Sequence, residues 1–382
     1  MKRRPSLWLM IIIYICGCLA VQPVAVAAEE PPAVQYVFLI LVDGLNTEGY
    51  RNSPAPNIRF LANEGILDEQ SVTLPADTVE EGVATLLTGT FPEEHKHYTM
   101  NDKVEVESLL DVLKKYGKSS AVIDGSGGKL QSFARGDNSY IQLDAKSTDK
   151  QVFDQAIDHF YNYKPYFTAI YTNDCLEGLV SVDKQAYYQA TIAFDRSLGS
   201  FLDGLRKQEL LDKSLIVLTS PRSSSVNRTC PLIMRGPTCK PATRVQHTMG
   251  IDVGPTLSRL TGMPKPFNAK GTPLYDVLNL KGEEEFLTLR QWVKELKEQR
   301  LNTWNKYLDL QDKLNRTIHQ MTAIKEEKQS IFDFAGEREQ AIGQLRDQIV
   351  RERLIFLGIM LLMGLGYLVE FKLLKRKFLL FR

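Results

Sequence analysis

An uncharged apolar run near the C-terminus sets the strongest limit on the structures that this chain can form. The run extends from Leu354 to Val369, and four of the five basic residues that follow it lie close behind, at positions 372, 375, 376 and 377. At about 1.5 Å per residue such a run is slightly short for a bilayer, so the flanking basic side chains must reach toward the headgroups. We predict a transmembrane helix over residues 354–371 and, from the positive-inside rule, a basic cytoplasmic tail over residues 372–382.

The N-terminus has the pattern of an export signal. Three basic residues at positions 2–4 precede an apolar run from Leu7 to Ile15, and Ala25-Val26-Ala27 supplies a small-residue cleavage pattern. We predict a signal peptide over residues 1–28, with an uncleaved anchor and lipidation at Cys18 as the alternatives. Together, the two ends predict a single-pass protein of the cell membrane whose globular part lies on the extracytoplasmic side.

The charge balance bears on the kind of partner. The chain has 47 Lys and Arg against 46 Asp and Glu, a net charge of +1. A protein that binds nucleic acid through the phosphate backbone needs a clear excess of basic residues. We therefore expect no nucleic-acid partner. The expected partner is the membrane, which the apolar run at residues 354–369 predicts.

Cysteine usage is sparse beyond the signal. Cys175, Cys230 and Cys239 are too few for a disulfide scaffold, and their spacing matches no zinc finger. In an oxidising compartment a bridge from Cys230 to Cys239 around a Gly-Pro turn is one expectation. Three buried thiols are the alternative.

The composition changes near Gly282. Residues 283–353 contain no proline and are rich in Glu, Lys, Arg, Gln and Leu, which predicts a helical stalk. Its apolar positions approximate a 3-4 spacing interrupted by Lys325 and Lys328, so the coiled-coil pattern is imperfect. One continuous helix and a hairpin folding near residues 333–336 are both open, as are a plain spacer and a coil that self-associates or binds a partner helix.

Residues 34–281 alternate strand-like and helix-like segments. Short apolar runs separated by crossover-length helices predict an α/β domain with a mainly parallel sheet sandwiched by helices. The predicted strands are 36–42, 119–123, 166–171, 214–218 and 231–234, and the predicted helices are 56–63, 79–87, 106–116, 150–161, 184–205 and 253–260. In such sheets ligands bind beyond the carboxyl ends of the strands, which directs attention to Asp43 after the first strand.

Two local patterns each allow a structural and a chemical interpretation. Asp43 is either a metal-binding carboxylate or the first residue of an Asp-Gly turn. The Thr78 hydroxyl is either a nucleophile at a helix N-terminus or, with Glu81, one half of a capping box. By local sequence alone, the turn and the cap are favoured.

Five segments in order resemble the alkaline phosphatase superfamily, with its nucleotide pyrophosphatase/phosphodiesterase and sulfatase-like branches nearest in pattern. They are LVDGL at 41–45, TLPADT at 73–78, TGTFPEEH at 88–95, CPLIMRGP at 230–237 and IDVGPTL at 251–257. The resemblance implies two divalent metals, zinc or manganese, flanking a Ser or Thr nucleophile. It would make Thr78 the nucleophile, and Asp43, Asp174 and His247 metal ligands.

Several positions depart from that family pattern. Leu179 stands where a ligand His is expected after Asp174, and Glu81 stands where an Asn usually contacts the substrate. Pro221 and Arg222 replace an Asp-His ligand pair. Because a two-metal site needs about six protein ligands, we expect a degenerate phosphatase-like domain that acts as a binding or scaffold module. An active phosphodiesterase, phosphatase or sulfatase-like hydrolase, and a stalk that assembles an envelope complex, are the alternatives.

Overall fold

The structure, a computed structural model, describes residues 34–73, 76, 78–134, 138–181, 183–222, 228–280 and 282–378. The predicted signal peptide, Cys18 and the last four residues of the predicted tail lie outside these residues. The chain divides into two units, with the boundary between Glu295 and Leu296.

One sheet of eight strands forms the centre of the first unit within the described residues. Its order is β4-β3-β5-β1-β6-β7-β2-β8. Most neighbouring strands are parallel, and β7 is antiparallel to both β6 and β2. The strands are β1 Tyr36–Val42, β2 Ile66–Val72, β3 Ser120–Asp124, β4 Ser139–Gln142, β5 Phe167–Thr172, β6 Ser214–Thr219, β7 Thr229–Arg235 and β8 Thr243–Arg244.

Helices cover both faces of this sheet, so the central strands are buried on two sides. In β1, Val37, Leu39 and Leu41 pack into the core on one face, and Phe38, Ile40 and Val42 pack into the core on the other. The helices are α1 Thr47–Asn52, α2 Pro56–Glu64, α3 Val79–Thr88, α4 Pro92–His95, α5 Leu109–Lys115, α6 Asp149–Tyr163, α7 Asp174–Val180, α8 Lys184–Lys207, α9 Val253–Leu260 and α10 Glu283–Phe378.

The predicted fold class is confirmed, and the five predicted strands and six predicted helices all exist, with ends that coincide or differ by a few residues. Within the described part of the chain, three further strands and three short α-helices were not predicted. Strand β2 has the sequence ILDEQSV, and its polar central residues leave no apolar run that would predict a strand. Its pairing with β7 carries an irregularity between Asp68 and Ser71, which is where those polar residues fall.

Helix α10 runs without interruption from Glu283 to Phe378, so the alternative of a hairpin near residues 333–336 is wrong. Part of it, within Arg316–Lys377, is long and apolar enough to cross a membrane, with a mean hydropathy of 2.2 in its most apolar window. The helical segment and the apolar run of the sequence are therefore parts of one helix.

The three cysteines of the described residues are free and buried. The predicted bridge from Cys230 to Cys239 is wrong, and the alternative of three buried thiols holds. Cys230 lies in β7, where its sulfur contacts the hydroxyl of Thr219 and the carbonyl of Ser220. The Cys239 backbone instead pairs with Leu278 in an isolated bridge. Burial raises the pKa of all three thiols, which keeps them protonated.

Candidate functional site

The candidate site lies where three adjacent parallel strands end. Strand β1 lies between β5 and β6, and the three run in the same direction. Asp43 follows β1, Tyr171 is the penultimate residue of β5, and Arg222 comes three residues after β6. Because the carboxyl ends of parallel strands meet at one edge of the sheet, residues far apart in sequence converge there.

An ion pair occupies this edge. The Nε atom of Arg222 donates to both carboxylate oxygens of Asp43 at 3.0 Å, and its Nη2 atom lies 2.9 Å from Oδ2. The hydroxyl of Tyr171 also donates to Oδ2, at 2.6 Å. Asp43 has no exposed surface, while the Arg222 side chain is 20% exposed. Both oxygens of the predicted metal ligand are therefore held by hydrogen-bond donors of the chain itself.

Burial and charge in this group act on its titratable partners. Burial, followed by the charge of Asp43, raises the pKa of Tyr171 well above its ordinary value, so the phenol stays protonated and donates. For Arg222, burial lowers the pKa, but the hydrogen bond and the charge of Asp43 outweigh it and the net direction is upward. The guanidinium is thus a permanent cation beside the carboxylate.

The segment that carries Arg222 also packs against the start of α3. A Cβ atom on Gly82 would lie 2.3 Å from the carbonyl oxygen of Pro221, so the two backbones touch at a position where only glycine fits. Glu80, also in the first turn of α3, is buried and adds to the upward shift of the Arg222 pKa. Residues 221 and 222 therefore fill the space between the end of β1 and the helix that starts after Thr78.

Thr78 is the N-cap of α3. Its hydroxyl accepts from the backbone N–H of Glu81 at 3.2 Å and donates to the carbonyl of Tyr98 at 2.7 Å. An alcohol is a weak nucleophile unless a base or a metal activates it, and the proton of this one is directed to a backbone carbonyl. Asp77, the residue before Thr78, lies outside the described residues.

Asp174 is engaged elsewhere, at the start of α7. Its Oδ2 accepts from the backbone N–H of Asp149 at 3.0 Å, and Oδ1 of Asp149 accepts from the N–H of Asp174 at 3.3 Å. The two carboxyl groups thus cap each other's helices. Burial, followed by the charge of Asp174, raises the pKa of Asp149 to about 8.

His247, the third predicted ligand, is exposed and has a left-handed backbone with φ of 62°. Among the residues that the structure describes, no group of three or more His, Cys, Asp or Glu side chains could hold a metal ion. A cation bound to Asp43 would also lie against the Arg222 guanidinium, which is repelled by it. The described residues therefore do not fit a two-metal centre.

Sequence reasoning identified Arg222 as a departure from the family pattern, but not as the partner of Asp43, from which it is 179 residues distant. Tyr171 was not singled out either. Its position next to the end of a predicted central strand could have drawn attention to it, because polar groups at strand ends lie at the ligand-binding edge. The sequence around Asp149 and around Asp174 does not predict that the two carboxyl groups cap each other's helices.

The fold is alkaline phosphatase-like. Murine ectonucleotide pyrophosphatase/phosphodiesterase 5 in an inactive form with AMP superposes with a TM-score of 0.55 at 13% identity, over 64% of this chain and 100% of that chain. An alkaline phosphatase superfamily protein from Vibrio parahaemolyticus gives 0.53 at 16% identity, over 67% and 72%. The lipoteichoic acid synthase LtaP from Listeria monocytogenes gives 0.50 at 15% identity, over 60% and 72%.

No protein-family model matches the chain, and no curated protein matches it by sequence. At the identities of the structural matches, the likeness concerns the fold alone. The fold does not determine the function, which depends on the residues of the site.

Proposed function

We propose that this chain is an exported, membrane-anchored protein whose alkaline phosphatase-like domain is catalytically degenerate and acts as a binding or scaffold module. The observation that carries the proposal is the contact of the Arg222 guanidinium with both carboxylate oxygens of Asp43. A guanidinium supplies the positive charge that a buried carboxylate needs, so it does structurally what a bound cation would do.

A guanidinium supplies charge but not the chemistry of a metal. It has no coordination position for a hydroxyl, and it cannot lower the pKa of a bound alcohol as a Lewis acid does. The Thr78 hydroxyl meanwhile donates to the Tyr98 carbonyl. The Arg222–Asp43 contact and the Thr78–Tyr98 hydrogen bond support the same conclusion. A nucleophile without an activator and a metal ligand without a metal are both expected of a site that no longer catalyses a reaction.

Hydrolysis assays test this proposal. The full chain in detergent is incubated with nitrophenyl phosphate, bis-nitrophenyl phosphate and nitrophenyl sulfate, with zinc or manganese supplied. Thr78→Ala and Asp43→Asn are assayed beside it. We expect the three proteins to give the same rate as buffer. Turnover by the unmodified chain that both substitutions abolish would contradict the proposal.

That contradicting result would support the second candidate function, a metal-dependent phosphodiesterase, phosphatase or sulfatase-like hydrolase with Thr78 as nucleophile. The observation in its favour is the position of Thr78 before the first turn of α3, where helix N–H groups favour a transferred anion. Metal binding would then require Arg222 to leave Asp43, and Arg222→Ala should raise turnover instead of abolishing it.

Membrane topology is a separate part of the proposal. The N-terminal export pattern and the basic residues behind the apolar window support an outer globular domain and a cytoplasmic C-terminus. Protease added to intact cells should release a fragment containing residues 34–281, while a tag after Arg382 stays protected. A protected globular domain together with a cleaved tag would show the opposite orientation.

A further inference from the structure

Helix α10 carries an apolar seam in the part that precedes its membrane-spanning window. Taking alternate steps of four and three residues from Leu310 gives 310, 314, 317, 321, 324, 328, 331, 335, 338, 342, 345 and 349 without a break. Eight of these positions hold apolar residues that are 50% to 67% exposed: Leu310, Leu314, Met321, Ile324, Ile331, Ile342, Leu345 and Ile349. In heptad notation, Leu314 and every seventh residue from it are a positions, and Leu310 and every seventh residue from it are d positions.

This heptad assignment differs from the approximate 3-4 spacing of all apolar residues in the segment. It places Ile318, Phe332 and Phe334 at the flanking e and g positions, where they are 51%, 61% and 66% exposed. Lys325 also lies at a flanking e position. The seam contains two basic residues, Lys328 at a and Arg338 at d. A seven-residue repeat of mainly apolar residues over this length is typical of a helix that supercoils with another.

We propose that the seam, defined as the a and d positions from Leu310 to Ile349, is covered by the same seam of a second copy of this chain in a parallel, in-register coiled coil. The parallel direction rests on the proposed membrane anchoring. Both copies would enter the bilayer through the same C-terminal window, so equal residues lie at equal heights.

Charge complementarity favours a second copy as the occupant. In a parallel coiled coil, an a side chain packs beside the preceding g residue of the partner helix, and a d side chain packs beside the following e residue. Those neighbours are Glu327 for Lys328 and Glu339 for Arg338. Each basic residue of the seam therefore meets a carboxylate when the partner is an identical chain in register.

The apolar area that the seam would bury is also large enough for a stable dimer. A fully buried Leu or Ile removes on the order of 60 to 120 Å² of apolar surface from water, from 1.5 to 3 kcal/mol at about 25 cal/mol per Å². Eight such seam residues and three apolar flanking residues, each at least half exposed, reach roughly the 800 Å² per partner of a stable interface. The seam does not depend on whether the globular domain is active.

Cysteine crosslinking of the full chain in membranes tests the proposal. Met321→Cys and Ile342→Cys place single cysteines at two a positions three heptads apart, and Glu326→Cys and Asp347→Cys are matched controls on the opposite, f side. Under mild oxidation both seam variants should form covalent homodimers at least about tenfold more extensively than both controls, because f residues point away from the partner.

Each other pattern of crosslinks overturns the proposal. An antiparallel pair would crosslink at one seam position at most. Equal crosslinking of seam and control positions would indicate random collision. Seam cysteines that form adducts only with a different protein would show another occupant. Because the readout is the crosslinked dimer and not turnover, it fails or succeeds separately from the proposed loss of catalysis, and an inverted topology alters which side is reached by protease but not the pattern of dimers.

A charge exchange gives an independent check on register. Arg338→Glu would place two carboxylates side by side and should lower the dimer fraction in detergent sedimentation, whereas Arg338→Glu combined with Glu339→Arg should restore it. If the double variant is as monomeric as the single one, the d-to-e contact of the proposed register is wrong.

Discussion

Replacing Arg222 by alanine should destabilise the globular domain strongly. The substitution leaves Asp43, which has no exposed surface, with the Tyr171 hydroxyl but without its cation. Removing one partner of a buried ion pair costs about 3 to 5 kcal/mol, because the remaining charge is neither hydrated nor neutralised. The Arg222 side chain is 20% exposed, so we expect the lower end, about 3 kcal/mol.

For a domain of this size, 1 kcal/mol lowers the melting temperature by about 2 to 4 °C, so the expected decrease is about 6 to 12 °C. The decrease is measured by near-ultraviolet circular dichroism of the full chain in detergent. Arg206→Ala is the matched control, since its pair with Asp203 is 54% and 61% exposed and should contribute about 0.5 kcal/mol or less.

A double substitution separates the loss of the ion pair from the loss of packing. Asp43→Asn combined with Arg222→Ala removes the buried charge, so the double variant should be less destabilised than the sum of the two single variants. If Arg222→Ala behaves like Arg206→Ala, or if the effects of Asp43→Asn and Arg222→Ala simply add, Arg222 does not neutralise Asp43.

Three further results are expected. Thr78→Ala should cost about 0.5 to 2 kcal/mol as a lost N-cap while Thr78→Ser stays near the unmodified chain in the same denaturation assay, and equal losses would exclude the capping role. His95 is buried, and burial followed by the charge of His97 lowers its pKa to about 4. Its contribution to stability should therefore be complete above pH of about 6.5 and decline by up to about 3 kcal/mol as the pH falls toward 4, with a weaker decline in His95→Gln. A thiol reagent followed by peptide mass spectrometry should label Cys175, Cys230 and Cys239 only in denaturant, and any pair resistant to labelling without reductant would indicate a disulfide.

The fold was predictable because its central strands are apolar on both faces. Strand β1 has the same bounds in the prediction and in the structure, since every residue from Val37 to Val42 is buried. Strand β2 was not predictable in this way, because Asp68, Glu69 and Gln70 interrupt its apolar pattern. The buried Asp68 side chain accepts from the backbone and hydroxyl of Thr248, a contact that depends on the tertiary structure.

The candidate site was predictable only in part. The order of segments indicated Asp43 and Thr78, and the substitution of Arg222 for an expected ligand was visible in the sequence. The direction in which Arg222 turns was not visible, because β6 becomes the neighbour of β1 only when the sheet forms. Contacts between residues distant in sequence depend on the topology of the sheet, which local sequence patterns do not specify.

Metal binding by the full chain decides whether Arg222 stands in place of a catalytic ion. The protein is freed of metal, titrated with zinc and with manganese in a calorimeter, and then analysed for retained metal. Asp43→Asn serves as the control for weak surface binding. We expect no retained ion and no saturable metal site that Asp43→Asn removes. Retention of about two ions per chain, as expected of an intact two-metal centre, with loss of them in Asp43→Asn, would contradict it.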